Sequence, residues 1–329
     1  MEELDLLESI FREQKQGAGG AGEVMTLGLG DDMGGIAFGG EELLVTVDQV
    51  VEGVHFVLEQ AGPRRVGWKA MMRNLSDVAA MGAVPVGAVV SLCLPRGMSK
   101  GDVLSLNGGI VAGGECFGCP VIGGDVSVWE GGLVVSVTVF AKAVAGRSRV
   151  GREGARRGDL ICVTGELGGS MVEIDGRVKH LDFRARVDLG QALVKAGDLG
   201  VGSMIDLSDG LATDLGHLSV GMAGAEHGTG LTAAVAIERL PLGKACRLHA
   251  EQTGLASWVH GVLDGEDYEL CFTIPRAHGE MLPSVIHGVG VCVIGEMLAY
   301  DGENAVVFQD ADGRRCDLGG RGWEHGGTG

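Results

Sequence analysis

Two α/β domains are predicted from three features of the sequence. The chain has 329 residues, room for two cores. Strand-like and helix-like segments recur through both halves, and a short basic stretch near the middle offers a natural boundary. Hydrophobic residues make up 45% and charged residues 21%, a composition that folds rather than remaining disordered. Lys and Arg number 26 against 44 Asp and Glu, and the net charge of −18 repels nucleic acids and anionic membranes as partners. Any phosphate must therefore be met locally. Sixty glycines without a three-residue period exclude collagen and imply tight turns and close backbone approaches.

Residues 4–14 read as a short helix with Leu4, Leu7 and Phe11 on one side, followed by a glycine-rich loop. In LLVTVDQVVEGVHF, alternation predicts a strand with Leu43, Val45 and Val47 on one apolar face and Leu44, Thr46 and Asp48 on the other. That reading makes the Leu43 face the core side and lets Asp48 point into a cleft. RRVGWKAMMRNLSDVAAMG has helical spacing, with Val66, Ala70, Met71, Leu75, Val78 and Ala79 in one stripe and Asn74 and Asp77 on a neighbouring face. AVVSLCLP, PVIGGD and LVVSVTVFAKA are expected strands, and KGDVLSLNGGIVAGGECFG an expected helix.

The boundary is placed near residue 146, giving domains 1–146 and 147–329. The adjoining stretch carries Lys142, Arg147, Arg149, Arg152, Arg156 and Arg157, read either as a solvated charge run or as an anion-facing patch. Beyond it, DLICVTG is an expected strand and VDLGQALVKAG an expected helix. SMIDLSDGLATDLGHLSVG reads as strand, acidic turn and helix, and GVLDGEDYELCFTIP as an acidic turn feeding a strand. GVGVCVIGEM is one more strand.

The start lacks the basic residues of a signal peptide, and the most apolar stretch, Val78 to Leu94, is punctuated by Gly82, Pro85, Gly87 and Ser91. With eight cysteines scattered through apolar segments, the expectation is a cytoplasmic protein with reduced thiols and no membrane partner. Cys116 and Cys119 form a lone CxxC, more consistent with buried thiols than with zinc.

The recurring chemical feature is an acid that ends an apolar segment: Asp31 and Asp32 in GLGDD, then Asp48, Asp77, Asp125, Asp206 and Asp209. Gathered in one cleft, such carboxylates repel one another unless cations lie between them. An oxygen-only set favours several Mg²⁺ ions, which most often serve a polyphosphate, so nucleotide-dependent phosphoryl transfer is expected. No GxxxxGK[ST], HRD or DFG occurs, which disfavours a P-loop ATPase or protein kinase.

GLGDD, TVDQVVEGVHF, WKAMMRNLSDVAAMGAVP, VIGGDVS, GREGARRGDLICVTG, IDLSDGLATDLGHL, GEDYELCFT and GWEH occur in this order almost end to end. On these motifs the chain resembles the thiamine-monophosphate kinases, of the superfamily that includes aminoimidazole ribonucleotide synthetase. The resemblance implies two PurM-like α/β (α+β) domains with mixed, largely antiparallel sheets backed by helices, and a homodimer formed through the first. It implies an ATP-dependent phosphotransferase with a phosphate acceptor, converting thiamine monophosphate and ATP to thiamine diphosphate and ADP. By motif, Asp32, Thr46, the Val47 backbone, Asp48, Asp77, Asp125, Asp206 and Asp209 would hold Mg²⁺. Gly124, Asp125, Arg152 and Ser208 would contact ATP, and His55, Glu266 and Trp323 the thiamine phosphate. No general base is implied, since the acceptor is an ionised phosphate.

Val47 and Val126 stand where the family usually has threonine, Gly326 replaces an aromatic residue, the segment between Gly169 and His180 is short, and Pro-x-Pro-Arg becomes Phe183-Arg184-Ala185-Arg186. The alternatives are a non-catalytic nucleotide and thiamine-phosphate binding protein, or a superfamily relative with another substrate. A selenium-type relative would want a cysteine near a lysine in the first twenty or so residues, where there is none.

Overall fold

The computed structural model describes residues 24–28, 30–219, 230–300 and 302–318. The helix expected over 4–14, its glycine-rich sequel up to residue 23, Trp323 and Gly326 lie outside the described residues. The first sheet contains β1 (Met25–Leu27), β2 (Gly34–Phe38), β3 (Glu41–Val51), β4 (Val84–Pro95), β5 (Val121–Trp129) and β6 (Val134–Lys142). Its order is β1-β2-β3-β6-β4-β5. All neighbours are antiparallel except β4 and β5, whose parallel pairing uses a helical crossover.

That crossover is helix α2 (Lys100–Glu115), which packs on α1 (Pro63–Ala80). Pro63 suits the first helical turn of α1, and the Ser99 side chain caps α2 by accepting the Asp102 N–H at 3.1 Å. The two helices approach closely through a glycine on each. A Cβ on Gly67 would lie 2.1 Å from Leu106 O, and one on Gly109 would lie 2.0 Å from Arg64 O.

Buried Leu44 and Val50 of β3, Val135, Val137 and Val139 of β6, and Val90, Leu92 and Leu94 of β4 share the first core with Met71, Leu75 and Val78 of α1. The alternation expected for β3 is present, but its core side is reversed. Leu44, Thr46, Asp48 and Val50 face the helices, whereas Val47 lies on the open face and is 62% exposed. Asp48 thus reaches the cleft from the core side of the sheet, where the helix face that carries Asn74 and Asp77 meets it.

The second sheet has the order β10-β12-β7-β14-β11-β15-β16. Its strands are β7 (Leu160–Thr164), β10 (Met204–Asp206), β11 (Leu231–Ala236), β12 (Leu270–Ile274), β14 (Val289–Ala299), β15 (Val306–Gln309) and β16 (Arg315–Cys316). β13 (Val285–Ile286) pairs with β14, while β8 (Glu173–Ile174) and β9 (Arg177–Val178) form a separate ribbon. β11 and β15 are parallel and the other pairs antiparallel. Helices α3 (Val187–Lys195), α4 (Leu211–Ser219), α5 (Lys244–Thr253) and α6 (Ser257–Leu263) accompany it.

The segment 179–199 leaves the second half to cover α1. A Cβ on Gly190 would lie 2.2 Å from Ala79 O, and Trp68 Nε1 donates to Phe183 O at 2.7 Å. The first core consequently continues through Leu181, Phe183 and Leu193 into Tyr268 and Phe272. α1 is therefore common to both halves, and the site is built along it.

Candidate active site

α1 presents Asp77 beside the end of β10 and the turn before β2. One oxygen each from Asp32, Asp77 and Asp206 lie within 4.8 Å of one another. Thr46 Oγ1 donates to Asp77 Oδ2, and Ser76 Oγ donates to Asp206 Oδ2 at 2.6 Å. The Asp48 N–H donates to Asn74 Oδ1 at 2.9 Å, and the Asp48 carboxylate lies 3.4 Å from Arg73. Dehydration and the neighbouring Asp32 push Asp206 up to about 7. Dehydration and repulsion from Asp48, Asp206 and Asp32 push Asp77 well above the usual carboxylate range. Asp31, burdened by burial and Asp32, rises to about 6.

Arg152 is the nearest counter-charge, with Nη2 2.5 Å from Asp32 Oδ1. The other Asp32 oxygen, Oδ2, is buried without a hydrogen-bond partner. Crowded carboxylates, one orphaned oxygen and a donor set of oxygen alone fit a hard divalent cation such as Mg²⁺. Asp32, Asp77 and Asp206 would hold it, with Asp48 beside them.

Asp209 and Ser208 stand in the turn between β10 and α4. Asp214 organises this turn, since its Oδ2 accepts the N–H groups of Asp209 and Gly210 at 3.0 Å each. Burial and the neighbouring Asp209 and Asp206 nevertheless push Asp214 well above the usual carboxylate range. The loop 266–269 docks on the same turn: Glu266 N donates to Ser208 O at 2.7 Å and Tyr268 N to Leu207 O at 2.8 Å. Glu266 and Tyr268 both have φ of about 51°, left-handed backbone that these contacts hold in place.

Glu266 meets Lys69, a buried lysine on α1. Lys69 Nζ donates to Glu266 Oε1 at 2.7 Å, Glu266 Oε2 at 2.9 Å and His55 O at 2.9 Å. It also lies 2.9 Å from His180 Nδ1, which is 3.0 Å from Glu266 Oε2. Burial opposes ionisation of Glu266, but the His180 hydrogen bond and Lys69 outweigh it and hold the carboxyl down at about 2. Dehydration lowers Lys69 to about 8 despite Glu266, so both groups are charged at neutral pH. The ammonium loses more hydration than a carboxylate that His180 also binds.

The segment 179–186 runs over the GEDYEL loop. Lys179 Nζ is 2.7 Å from Asp267 Oδ1, Phe183 stacks on Tyr268 at 3.8 Å, and Arg186 Nε donates to Glu269 Oε2 at 2.7 Å. The substituted Phe183-Arg184-Ala185-Arg186 stretch thus serves to hold this loop.

Of the residues singled out in the sequence, Asp32, Thr46, Asp48, Asp77, Arg152 and Asp206 gather at the cleft, with Ser208 and Asp209 on the adjoining turn. His55 and Glu266 are joined through Lys69. Gly124 and Asp125 are on the exposed edge strand β5, where Asp125 is in register with Ser91. Val47 offers its backbone on β3 and turns its side chain to the open face. Of the six central cations, Arg152 enters the cleft. Arg149 pairs with Glu42 at 3.3 Å, and Arg147 donates to Lys195 O at 3.1 Å. Lys69, His180 and Asp214 were missed. Lys69 looks in sequence like a polar position on an amphipathic helix, and only the covering segment buries it.

The AIR synthase related protein N-terminal domain family matches residues 30–143. The chain is 33% identical to the thiamine-monophosphate kinase of Rhodopirellula baltica, over 84% of this chain and 85% of that one. It is 32% identical to the Escherichia coli K12 enzyme of the same name, over 91% of each chain. The solved structure of AaThiL complexed with AMPPCP and TMP superposes with a TM-score of 0.78 at 29% identity, covering 98% of this chain and 97% of that one. The hydrogenase maturation protein HypE of E. coli shares the fold, at TM-score 0.66 and 20% identity over 84% of this chain and 86% of that one. With an acidic cleft set between two PurM-like halves, and with identity sustained over nine-tenths of the chain, this protein belongs to the thiamine-monophosphate kinase family.

Proposed function

We propose that this chain transfers the γ-phosphate of ATP to thiamine monophosphate, giving thiamine diphosphate and ADP, with Mg²⁺ at the aspartate cleft. The observation that carries the reading is the convergence of Asp32, Asp77 and Asp206, with Asp32 Oδ2 buried and unpartnered. Mg²⁺ bound there would neutralise polyphosphate charge and help to align the reacting phosphates. Arg152, already oriented by Asp32, is placed to meet a phosphate oxygen, and Ser208 and Asp209 extend the cleft along the turn before α4. Gly124 and Asp125 on β5 are proposed as further ATP contacts.

At the acceptor end, His55 Nδ1 accepts the Val51 N–H at 3.1 Å, which leaves the ring proton on Nε2 and makes that atom a donor. Lys69 fixes the carbonyl of the same residue and keeps Glu266 ionised, the form suited to a cationic thiamine ring. Trp323 is proposed as a further thiamine contact. The acceptor phosphate is itself an anionic nucleophile, so these residues need to position it and offset charge rather than remove a proton.

The proposed assembly is a homodimer, with the boundary between the halves near residue 146. On the outermost strand β5, Ile122 is 67%, Val126 58% and Val128 56% exposed. An apolar edge of this kind is ordinarily covered by a partner. Among the described residues no helix is long and apolar enough to cross a membrane. All eight cysteines are free thiols, which supports a reducing, cytoplasmic setting.

The test is ADP release with a panel of acceptors. Thiamine monophosphate should support turnover, while unphosphorylated thiamine and ribonucleotide monophosphates should not. Equal ADP release with every acceptor, or none with thiamine monophosphate, would contradict the assignment.

A further inference from the structure

Away from the aspartate cleft, His249 on α5, His260 on α6 and Asp264 just beyond α6 bring one nitrogen or oxygen each within 4.8 Å of one another. His249 Nδ1 lies 2.8 Å from Asp264 Oδ2, and His260 Nδ1 lies 2.7 Å from Asp264 Oδ1. The two imidazole rings stand 3.9 Å apart.

Thr253 holds the far side of His260. Its hydroxyl lies 3.1 Å from His249 O and 2.7 Å from His260 Nε2, and it accepts the Leu255 N–H at 3.3 Å. At 2.7 Å the contact between His260 Nδ1 and Asp264 Oδ1 holds one cation between nitrogen and oxygen, either a proton or a metal ion.

Three features favour the metal. Two imidazoles and one carboxylate make a Zn²⁺-type donor set, unlike the oxygen-only set of the aspartate cleft. The ligands are also held from behind: His260 by Thr253, and Asp264 by the Gly169 N–H, 2.7 Å from Oδ2. His249 is 26% exposed at its side chain, which leaves water access for a fourth position. Cys246, one turn before His249, donates to Ser257 O at 3.1 Å and is not part of the set.

We propose that His249, His260 and Asp264 bind one Zn²⁺-type transition-metal ion, separate from the Mg²⁺ cleft. Binding would replace the proton between His260 and Asp264, and the ligand atoms would move apart to about 3.3 Å around an ion about 2.0 to 2.1 Å from each. Such an ion would tie α5 and α6 to the residue two positions before Glu266. The site stands independently of the phosphoryl-transfer reading.

The experiment uses the full chain, stripped with chelator, returned to millimolar Mg²⁺ and titrated with Zn²⁺ or Co²⁺. One equivalent of Zn²⁺ should be retained after dialysis, and Co²⁺ should give the visible absorption of a four-coordinate ion. Both signals should weaken about tenfold or more in His249→Gln and His260→Gln, and both should persist in Asp77→Asn. His249→Gln, at the partly exposed ring, decides the matter if His260→Gln fails to fold. The proposal is overturned by a wild-type chain that retains no Zn²⁺, by unchanged retention in His249→Gln, or by loss of the signals in Asp77→Asn. The first outcome would identify the cation as a proton and the last would place the ion in the aspartate cleft.

Discussion

Lys69 Nζ donates to Glu266 Oε1 at 2.7 Å and Oε2 at 2.9 Å, joining a helix of the first half to a loop of the second across 197 positions of sequence. Lys69 is fully buried, donates also to His55 O at 2.9 Å and lies 2.9 Å from His180 Nδ1. Its ammonium thereby couples two residues proposed to bind the thiamine phosphate.

Lys69→Met should remove the charge while keeping much of the packing volume, and should strand Glu266 in a dry site. Breaking one side of a buried pair typically costs about 3 to 5 kcal/mol. Denaturant unfolding should show a loss of that order, together with weakened thiamine monophosphate binding. Wild-type stability in this variant would mean that the pair is structurally idle.

The aspartate cleft predicts opposite pH responses with and without metal. Asp206 at about 7, Asp31 at about 6 and Asp77 well above its usual range bind protons more tightly folded than unfolded. Stability from these groups is therefore present at acidic pH and is lost as pH rises through the folded values. Melting temperature in EDTA should fall between pH 5 and pH 8, all else equal, whereas the gain on adding Mg²⁺ should grow over the same interval. A Mg²⁺-induced shift that shrinks with rising pH would argue against carboxylate ligation.

Arg152→Ala should weaken ATP binding about ten- to hundredfold, the scale of a lost charge-assisted hydrogen bond. Thiamine monophosphate binding should change far less, because the acceptor is proposed to be held at the other end by His55 and Glu266. Separate calorimetric titrations of the two ligands check this, and equal losses for both would assign Arg152 a structural role.

Much of this architecture was legible in advance because its signals are local. The apolar stripe of α1, the alternation of β3 and β6 and the acidic end of β10 follow from periodicity and turn chemistry, whereas Asp48 and Asp77 lie within β3 and α1 rather than at their ends. What was not legible depends on distant chain. Which face of β3 is core is decided by α1 packing on it, and Lys69 becomes buried only when His180 and Glu266 are brought to it from the second half. β11, read as LTAAVA, is almost wholly buried and shows no alternation, so period two could not reveal it. The recurrence of aspartates after apolar runs pointed to one cleft; Asp125, expected at a strand end, lies in the middle of the exposed edge strand β5.

Val126→Lys places a charge in the middle of that exposed edge. If β5 forms the proposed twofold contact, sedimentation velocity should show the wild-type dimer and a variant shifted toward monomer, with an unchanged far-ultraviolet spectrum. An unchanged dimer would place the contact elsewhere.

The central claim is that Asp32, Asp77 and Asp206 hold the metal that makes phosphoryl transfer to thiamine monophosphate possible. Chromatographic measurement of thiamine diphosphate and ADP, for the wild type and Asp77→Asn with ATP, Mg²⁺ and thiamine monophosphate, tests it most directly. The wild type should form one ADP per thiamine diphosphate and stop in excess EDTA. Asp77→Asn should lose turnover by about a hundredfold or more while melting at or above the metal-free wild type, since the substitution relieves repulsion in the cleft. Undiminished thiamine diphosphate formation in EDTA or in Asp77→Asn would contradict the account.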